Sequence, residues 1–551
     1  MEYIKNGKVK NIKTLPKIIL FALFGSLWSF SHVGYSFGLL PWFTFIPFIY
    51  SIKYEDYKSG FFYSWIFGFF VYLFHFWWMP KPIAFAMILD FLPPYLYFFG
   101  WIVGWLATLL ICAYHGLVYS LFFLISKYIA KNRHRLFYLC IPFVGTVMDV
   151  FFPKLWHDQI GYTQYVFFHF SQIADTLGVP FLTFIILACN SVAVVVIEAI
   201  LFKRKVALAV GLFSVTIFVI VGISVYGILR VKQIEKLSNI APKARIGVVQ
   251  GNFSGLDKKN ENKYEEMIIK YNSLSEKLLG QNPDLIVWPE TAIPLLYEIP
   301  INKYEKIKRF DAIPLLTGLH LFDIDGKNGN YHIYNSLVLV SGDKIKEDYY
   351  QKIKLLPFVE RFPLSFLNVI LNFFGYQEFS AGKEYKIMQT RNINFSPNIC
   401  YEAILPDLIR KALVVGNKKA NLIINATNDS WYGRTIEPRM HLQMSGFRSI
   451  ENRRTLVRAT CTGYSAVFEP TGDKTYESPL FKEDAVVKEI PLLEIDTIYS
   501  KWGWFFPWVL LIALFVALCI SLYRKAKYKD IKARLIKKRI HKRNIERMWQ
   551  G

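Results

Sequence analysis

From Lys17 to Arg230 long apolar runs alternate with short polar gaps. A helix needs about 20 mainly apolar residues to cross a bilayer. The runs 17–33, 36–52, 59–78, 90–127, 136–153, 175–202 and 206–229 are candidate spans, and 503–523 repeats the pattern near the far end. No charged gap divides 90–127, so it reads as one helix projecting past the bilayer. The 17–33 run leads straight into further apolar runs without a small-residue cleavage site, which makes it a retained span rather than a signal peptide. The pattern predicts a bundle over 1–230 with seven spans, a water-exposed domain over 231–502, a last span over 503–523 and a tail over 524–551.

Within 231–502 the period changes. Short runs of β-type residues alternate with helical patterns. Strands are predicted at Ala244–Val249, Asp284–Val287, Ile313–Leu321, Ser336–Val340, Asn392–Ile399, Ala420–Ala426 and Leu456–Phe468, the last running into the turn Glu469-Pro470-Thr471-Gly472. Helices are predicted at Glu261–Leu279, Leu405–Val415 and Glu437–Asn452. The alternation predicts a layered α/β sandwich with a mixed sheet. GxGxxG, P-loop and paired CxxC patterns are absent from the sequence, so neither a nucleotide cofactor nor a metal is expected.

Charge sharpens the picture. The 551 residues carry a net +23, which in a soluble protein would suggest nucleic acid; at 53% hydrophobic the chain is too apolar for that and for disorder. The basic residues are distributed by gap. Lys5, Lys8, Lys10, Lys13 and Lys17 precede the first run; Lys53 and Lys58, then Lys127, Lys131, Arg133 and Arg135, then Lys203, Arg204 and Lys205 fill every second gap. The alternate short gaps hold only Lys81 and Lys154, and twelve Lys/Arg follow Tyr523. The positive-inside rule then gives about eight spans, both ends cytoplasmic and 231–502 outside. The basic tail is read as enforcing this topology. His75, Asp90, Asp149 and Glu198 are costly in lipid, and capping or pairing inside the bundle is favoured over a polar path.

Three predicted strand ends carry reactive groups. Glu290 follows Val287-Trp288-Pro289, Cys400 follows Asn398-Ile399, and Lys352 lies in Tyr350-Gln351-Lys352-Ile353-Lys354. A thiolate is a nucleophile, a carboxylate can take the thiol proton, and a lysine can hold the oxyanion, with the Tyr401 amide as a second donor. The product of such a set is a thioester. Each residue alone has a plainer reading, as a core thiol, a solvated carboxylate or a surface lysine. Cys112, Cys140, Cys189 and Cys519 lie in apolar runs and read as inert. Cys461 reads as a core residue, although a Cys400–Cys461 disulfide outside the cytoplasm would silence Cys400.

The motifs together resemble a known family. Val249-Gln250-Gly251-Asn252, Trp288-Pro289-Glu290-Thr291, Lys352 with Leu356-Pro357-Phe358, Ile399-Cys400-Tyr401-Glu402, Asn428-Asp429-Ser430-Trp431-Tyr432-Gly433, His441-Leu442-Gln443-Met444, Glu451-Asn452-Arg453-Arg454 and Leu456-Val457-Arg458-Ala459-Thr460 occur in the order seen in apolipoprotein N-acyltransferases. The resemblance implies a polytopic α-helical membrane bundle joined to an αββα sandwich of the nitrilase (carbon–nitrogen hydrolase) type. By position it implies Glu290 as general base, Lys352 as oxyanion stabiliser and Cys400 as nucleophile. Glu360 would be a second active-site carboxylate, and Tyr401, Glu402 and Trp431 would line the pocket mouth. Val359 replaces a glycine common before that carboxylate, and Asp257-Lys258-Lys259 stands where many members carry a tryptophan.

The reaction implied is transfer of an acyl chain from a membrane phospholipid, through a thioester, to the N-terminal amine of diacylglyceryl-cysteine on a lipoprotein. The setting implied is a monomer in the bacterial inner membrane, with its catalytic domain on the periplasmic face and no nucleic-acid partner. The apolar stretch 362–374 reads either as an arm dipping into lipid or as a buried helix of the sandwich. Two other functions compete: a membrane-tethered amidase with the same triad, and a transporter or scaffold whose outer domain only binds.

Overall fold

The computed structural model describes residues 14–90, 97–130, 134–203, 205–299, 313–324, 331–340, 348–357, 359–361 and 378–548. Among the described residues, four helices are long and apolar enough to cross a membrane: Tyr97–Ala130, Val179–Phe202, Val206–Ile240 and the first 20 residues of the helix that begins at Phe505. The 90–127 run contains one 34-residue helix, Tyr97–Ala130, with a separate helix over Pro80–Asp90 before it. Thr14–Ser29, Tyr57–His75 and His134–Phe151 are shorter apolar helices packed among these. Gly68 and Gly116 let two of them touch: a Cβ on Gly68 would sit 2.7 Å from the Gly116 carbonyl oxygen. Small residues are the usual way to bring helix backbones that close.

Three predicted spans change shape. The 36–52 run is not one helix but a 3₁₀ turn at Leu40–Trp42 and a seven-residue helix at Ile46–Ile52, with Pro41 and Pro47 each in a first turn. Proline lacks the amide needed to continue a helix but fits its start. The 175–202 run breaks at Gly178, whose φ of +73° ends a short turn before Val179-Pro180 restarts the chain as helix. The 206–229 run extends to Ile240, past the apolar stretch and directly into the first strand of the next domain.

Among the described residues that domain has two large sheets and a small two-stranded one. Its strands are β1 (Lys243–Gln250), β2 (Leu285–Val287), β3 (Leu296–Glu298), β4 (Leu315–Ile324), β5 (Tyr331–Val340), β6 (Asp348–Gln351), β7 (Met388–Thr390), β8 (Ile393–Ile399), β9 (Val414–Val415), β10 (Lys418–Lys419), β11 (Leu422–Thr427), β12 (Thr455–Thr460), β13 (Ala466–Phe468), β14 (Lys474–Glu477) and β15 (Asp484–Pro491). One large sheet runs β15-β1-β2-β4-β5-β6, with β3 on β4; the other runs β14-β13-β12-β11-β8-β7; β9 and β10 form the small one. Both large sheets are mixed: β1, β2 and β4 are parallel, as are β8, β11 and β12, and antiparallel strands close the edges. The predicted single strand Leu456–Phe468 is instead the hairpin β12–β13, turned at 461–465. Gly463 is required there, since a Cβ would lie 2.3 Å from Asp429 Oδ2.

Ile246, Val248, Val287 and Leu337 of the first sheet meet Ile399, Ile424, Val457 and Val467 of the second in one apolar core. The helix Tyr264–Leu279 covers the outer face of the first sheet with Met267, Tyr271, Leu274 and Leu278. Leu408, Ile409 and Leu442, from the helices Pro406–Ala412 and Glu437–Asn452, cover the second. The layers are therefore αββα.

Glu437–Asn452 is polar in composition yet buried on nearly every side. Leu442 faces the sheet, while Met440, Met444, Phe447 and Ile450 belong to the same apolar core as Trp28, Phe48 and Phe67 of the bundle. This helix is a shared wall between the two halves of the molecule.

Candidate active site

Glu290, Lys352 and Cys400 each follow a strand by one to three residues. After β2, Trp288 is buried and donates from Nε1 to Ser275 Oγ at 2.8 Å, which fixes the turn that presents Glu290. Gly318 of β4 passes directly beneath, where a Cβ would lie 2.5 Å from the Pro289 carbonyl oxygen. After β6, the Lys352 amide donates to Asn335 O of β5 at 2.9 Å and turns the side chain inward. After β8 the chain enters a 3₁₀ turn, and Cys400, its first residue, has a φ of +50°. A left-handed conformation costs a non-glycine residue about 1–2 kcal/mol, and such strain gathers at functional sites.

The side chains converge on a buried charge cluster. Lys352 Nζ lies 2.8 Å from Glu360 Oε1 and 3.4 Å from Glu290 Oε1. Asn335 Nδ2 bridges the same two oxygens, donating at 2.7 Å to Glu290 and 2.9 Å to Glu360. Glu360 Oε2 accepts from the Leu356 amide at 2.7 Å. Burial alone would lower the Lys352 pKa, but Glu360 and then Glu290 outweigh it and hold the ammonium charged. Burial first, and the Glu290 charge second, push the Cys400 thiol well above its ordinary range against the pull of Lys352. Glu290 and Lys352 thus both lie within electrostatic reach of the Cys400 sulfur.

The residues expected at the pocket mouth separate. Tyr401 points into the bundle, where its hydroxyl donates to Leu155 O at 3.2 Å and lies 2.8 Å from His157 Nδ1. Trp431 is half-buried against Gly255. Glu402 is fully buried. It accepts from the amides of Ile353 at 2.7 Å, Lys354 at 3.0 Å and Ile399 at 2.8 Å, and from the Tyr350 hydroxyl at 3.0 Å. One carboxylate thus ties the Lys352 loop to the Cys400 turn. Burial, opposed by those backbone donors, pushes it up to about 7.

Two features were not legible as chemistry. Lys258 is buried and donates to the Glu290 carbonyl oxygen at 2.9 Å and to Cys461 Sγ at 2.8 Å. Cys461 and Cys400 are both free thiols, so the disulfide that would silence Cys400 is not formed. Below the Cys400 turn, Arg458 donates to Asp429 Oδ2 at 2.8 Å and to Asn425 Oδ1 at 2.5 Å. His441 lies between Asp429 Oδ1, at 3.2 Å from Nδ1, and the Cys400 carbonyl oxygen, at 3.1 Å from Nε2. Burial raises the Asp429 pKa, but Arg458 and His441 win and hold it at about 2. The signal was present in the motifs around Asp429, His441 and Arg458, but their spacing does not reveal a common centre.

The bundle supplies the other side. His32 Nδ1 and His75 Nε2 lie 3.0 and 3.2 Å from Asp158 Oδ2, and Lys154 Nζ lies 2.7 Å from Asp149 and 3.7 Å from Asp158. His75 and Asp149 therefore pair inside the bundle, as favoured from sequence. Glu198 pairs with Lys53; the side chain of Asp90 lies outside the described residues. His32, His75 and Asp158 come near enough to hold a metal ion, but the Lys154 ammonium already faces the same carboxylate. The cluster fixes loop 154–158, which carries the contacts to Tyr401.

The N-terminal domain of apolipoprotein N-acyltransferases matches residues 24–192, and the carbon–nitrogen hydrolase family matches 245–499. An apolipoprotein N-acyltransferase of Geobacter metallireducens is 31% identical over 376 residues, 67% of this chain and 70% of that protein. One from Bdellovibrio bacteriovorus is 30% identical, covering 75% of this chain and 78% of its own. The chain belongs to the apolipoprotein N-acyltransferase family. A third member, from Chlorobaculum tepidum, is 26% identical over 84% of this chain and 87% of its own length. Membership of this family makes the chain an acyltransferase on a nitrilase-like sandwich, and its apolar helices place it among bacterial membrane proteins.

Proposed function

We propose that the protein transfers an acyl chain from a membrane phospholipid to the N-terminal amine of diacylglyceryl-cysteine on lipoproteins, with Cys400 as the covalent carrier. Glu290 takes the Sγ proton as sulfur attacks the ester carbonyl carbon. Lys352 and the Tyr401 amide hold the oxyanion. Collapse breaks the ester C–O bond, and the lysophospholipid oxygen leaves with the proton from Glu290. The lipoprotein amine then attacks the thioester, Glu290 takes its proton, an amide forms and the sulfur departs to be reprotonated. Glu360 keeps Lys352 charged and in place.

The observation that carries this reading is the buried Glu290–Lys352–Glu360 cluster within electrostatic reach of Cys400, which is held at a positive φ. That arrangement disfavours the transporter or scaffold reading, since a binding module has no need to bury three charges beside a thiol.

Basic residues in alternate gaps support about eight spans, cytoplasmic ends and a periplasmic catalytic domain. The divisions 1–230, 231–502, 503–523 and 524–551 follow from that topology, and the protein acts as a monomer. The shared wall Glu437–Asn452 supports an active site held at bilayer height, where both lipid substrates reside. The stretch 362–374 lies outside the described residues, and its role as a membrane-dipping arm is part of the proposal.

The test is the acceptor. Purified protein is incubated with phospholipid vesicles and a diacylglyceryl-cysteinyl peptide, and the peptide is analysed by mass spectrometry. A third acyl chain in amide linkage on the α-amine is expected. Release of ammonia from small amides without acylation of the peptide would instead favour the membrane-tethered amidase.

A further inference from the structure

The peptide between Cys400 and Tyr401 carries two opposed groups. In a trans peptide the carbonyl of one residue and the amide N–H of the next point in opposite directions. Whatever holds the Cys400 carbonyl therefore also aims the Tyr401 N–H. Two donors hold it: His441 Nε2 at 3.1 Å and Asn425 Nδ2 at 3.4 Å. Tyr401 is the second residue of the 3₁₀ turn that Cys400 opens, and the first amides of such a turn lack a carbonyl partner within it. Its N–H is thus available to an incoming oxygen.

His441 is itself held. Asp429 lies against its Nδ1 edge at 3.2 Å and is fixed by Arg458 on its other oxygen at 2.8 Å. Glu437 lies 3.7 Å from the same nitrogen, and Trp156 of the bundle packs edge-on against the ring at 6.2 Å between centroids. A carbonyl oxygen only accepts, so the proton at this contact is on Nε2. His441, Asp429 and Arg458 are all fully buried, and solvent does not replace their contacts.

We propose that His441 is a positioning residue for acyl transfer: by holding the Cys400 carbonyl it aims the Tyr401 amide at the oxyanion. This rests on the reading of Cys400 as nucleophile. The turn's positive φ makes the role necessary, because a strained peptide relaxes by rotating when its tethers are removed. Asn425, the longer of the two tethers, does not hold the peptide alone.

The experiment measures single-turnover thioester formation from phospholipid in the full-length wild type, His441→Ala, His441→Gln and Cys400→Ala. It also measures KM for phospholipid, the thermal midpoint, and the alkylation rate of Cys400 by iodoacetamide. Loss of one oxyanion donor costs about 10²–10³-fold, and misaiming one is expected to cost His441→Ala about 10–10²-fold in acylation. KM and alkylation should stay within about twofold of wild type, and His441→Gln, which keeps a side-chain N–H donor, should recover most of the rate. A wild-type acylation rate in His441→Ala overturns the proposal. So does a loss shared equally by acylation and alkylation, which would mean the turn has merely collapsed. Thioester formation by Cys400→Ala would instead remove the underlying nucleophile reading.

Discussion

At the residue scale, the proposed chemistry depends on three charges held out of water near one thiol. Glu360 and Asn335 leave Lys352 almost no freedom, so its ammonium is organised before substrate arrives. Replacing Lys352 with Met should reduce acylation by about 10²–10³-fold, the range for an oxyanion donor, measured as the rate of lysophospholipid release. Asp429 sets a pH limit on stability. Its carboxyl is held at about 2, below the ordinary value near 4, so it stabilises the fold above pH 4 and that contribution is lost as pH falls towards 2. Thermal melts between pH 5 and pH 2 should show a falling midpoint in the wild type and a weaker fall over pH 4–2 in Asp429→Asn, from a lower start. The sequence made Glu290, Lys352 and Cys400 legible because each ends a strand in a recognisable motif. The backbone partners of Glu402 were not legible for a physical reason: adjacency to Cys400 does not say on which side of a tight turn a side chain emerges.

At the element scale, strand ends and tight turns do the positioning. Glu402 accepts four hydrogen bonds that join the β6 and β8 ends. Glu402→Gln would turn an amide NH₂ towards backbone donors and leave at least one buried group unpaired, at about 1–3 kcal/mol. A lower denaturation midpoint together with slower thioester formation is expected. In the bundle, Gly116→Val should separate Tyr57–His75 from Tyr97–Ala130, since a Cβ there already lies 2.9 Å from the Phe69 amide nitrogen. Reduced yield of folded protein after detergent extraction would show it. Helix Glu437–Asn452 was legible to the residue because its periodicity is plain. The β12–β13 hairpin was not, because Cys461-Thr462-Gly463 inside an apolar run carries only a weak turn signal. The 36–52 run misled similarly: its apolar content satisfied the length rule while Pro41 and Pro47 divided it.

At the scale of the whole molecule, the bundle and the sandwich are one folding unit at their contact. Arg453, fully buried at the end of the shared helix, donates to Asp175 Oδ2 at 2.9 Å and to Gln172 Oε1 at 2.7 Å, while Arg230 reaches the same aspartate from the helix leading into β1. Removing one partner of a buried ion pair costs about 3–5 kcal/mol. Arg453→Ala should therefore lower the thermal midpoint of the intact protein, read by tryptophan fluorescence in detergent. The Arg453 contacts were not visible in the sequence, since they join residues 278 and 281 positions apart. The basic excess was legible as topology, whereas the polar face of a wall buried on both sides reads from sequence as a surface. The central claim is that Cys400 carries the acyl group between two lipids. Its most direct measurement is intact-protein mass spectrometry after incubation with palmitoyl phospholipid and no acceptor. The account predicts an added palmitoyl mass on the wild type, absent from Cys400→Ala and discharged by a diacylglyceryl-cysteinyl peptide. An unlabelled wild type that still acylates the peptide, or a label that persists in Cys400→Ala, would contradict it.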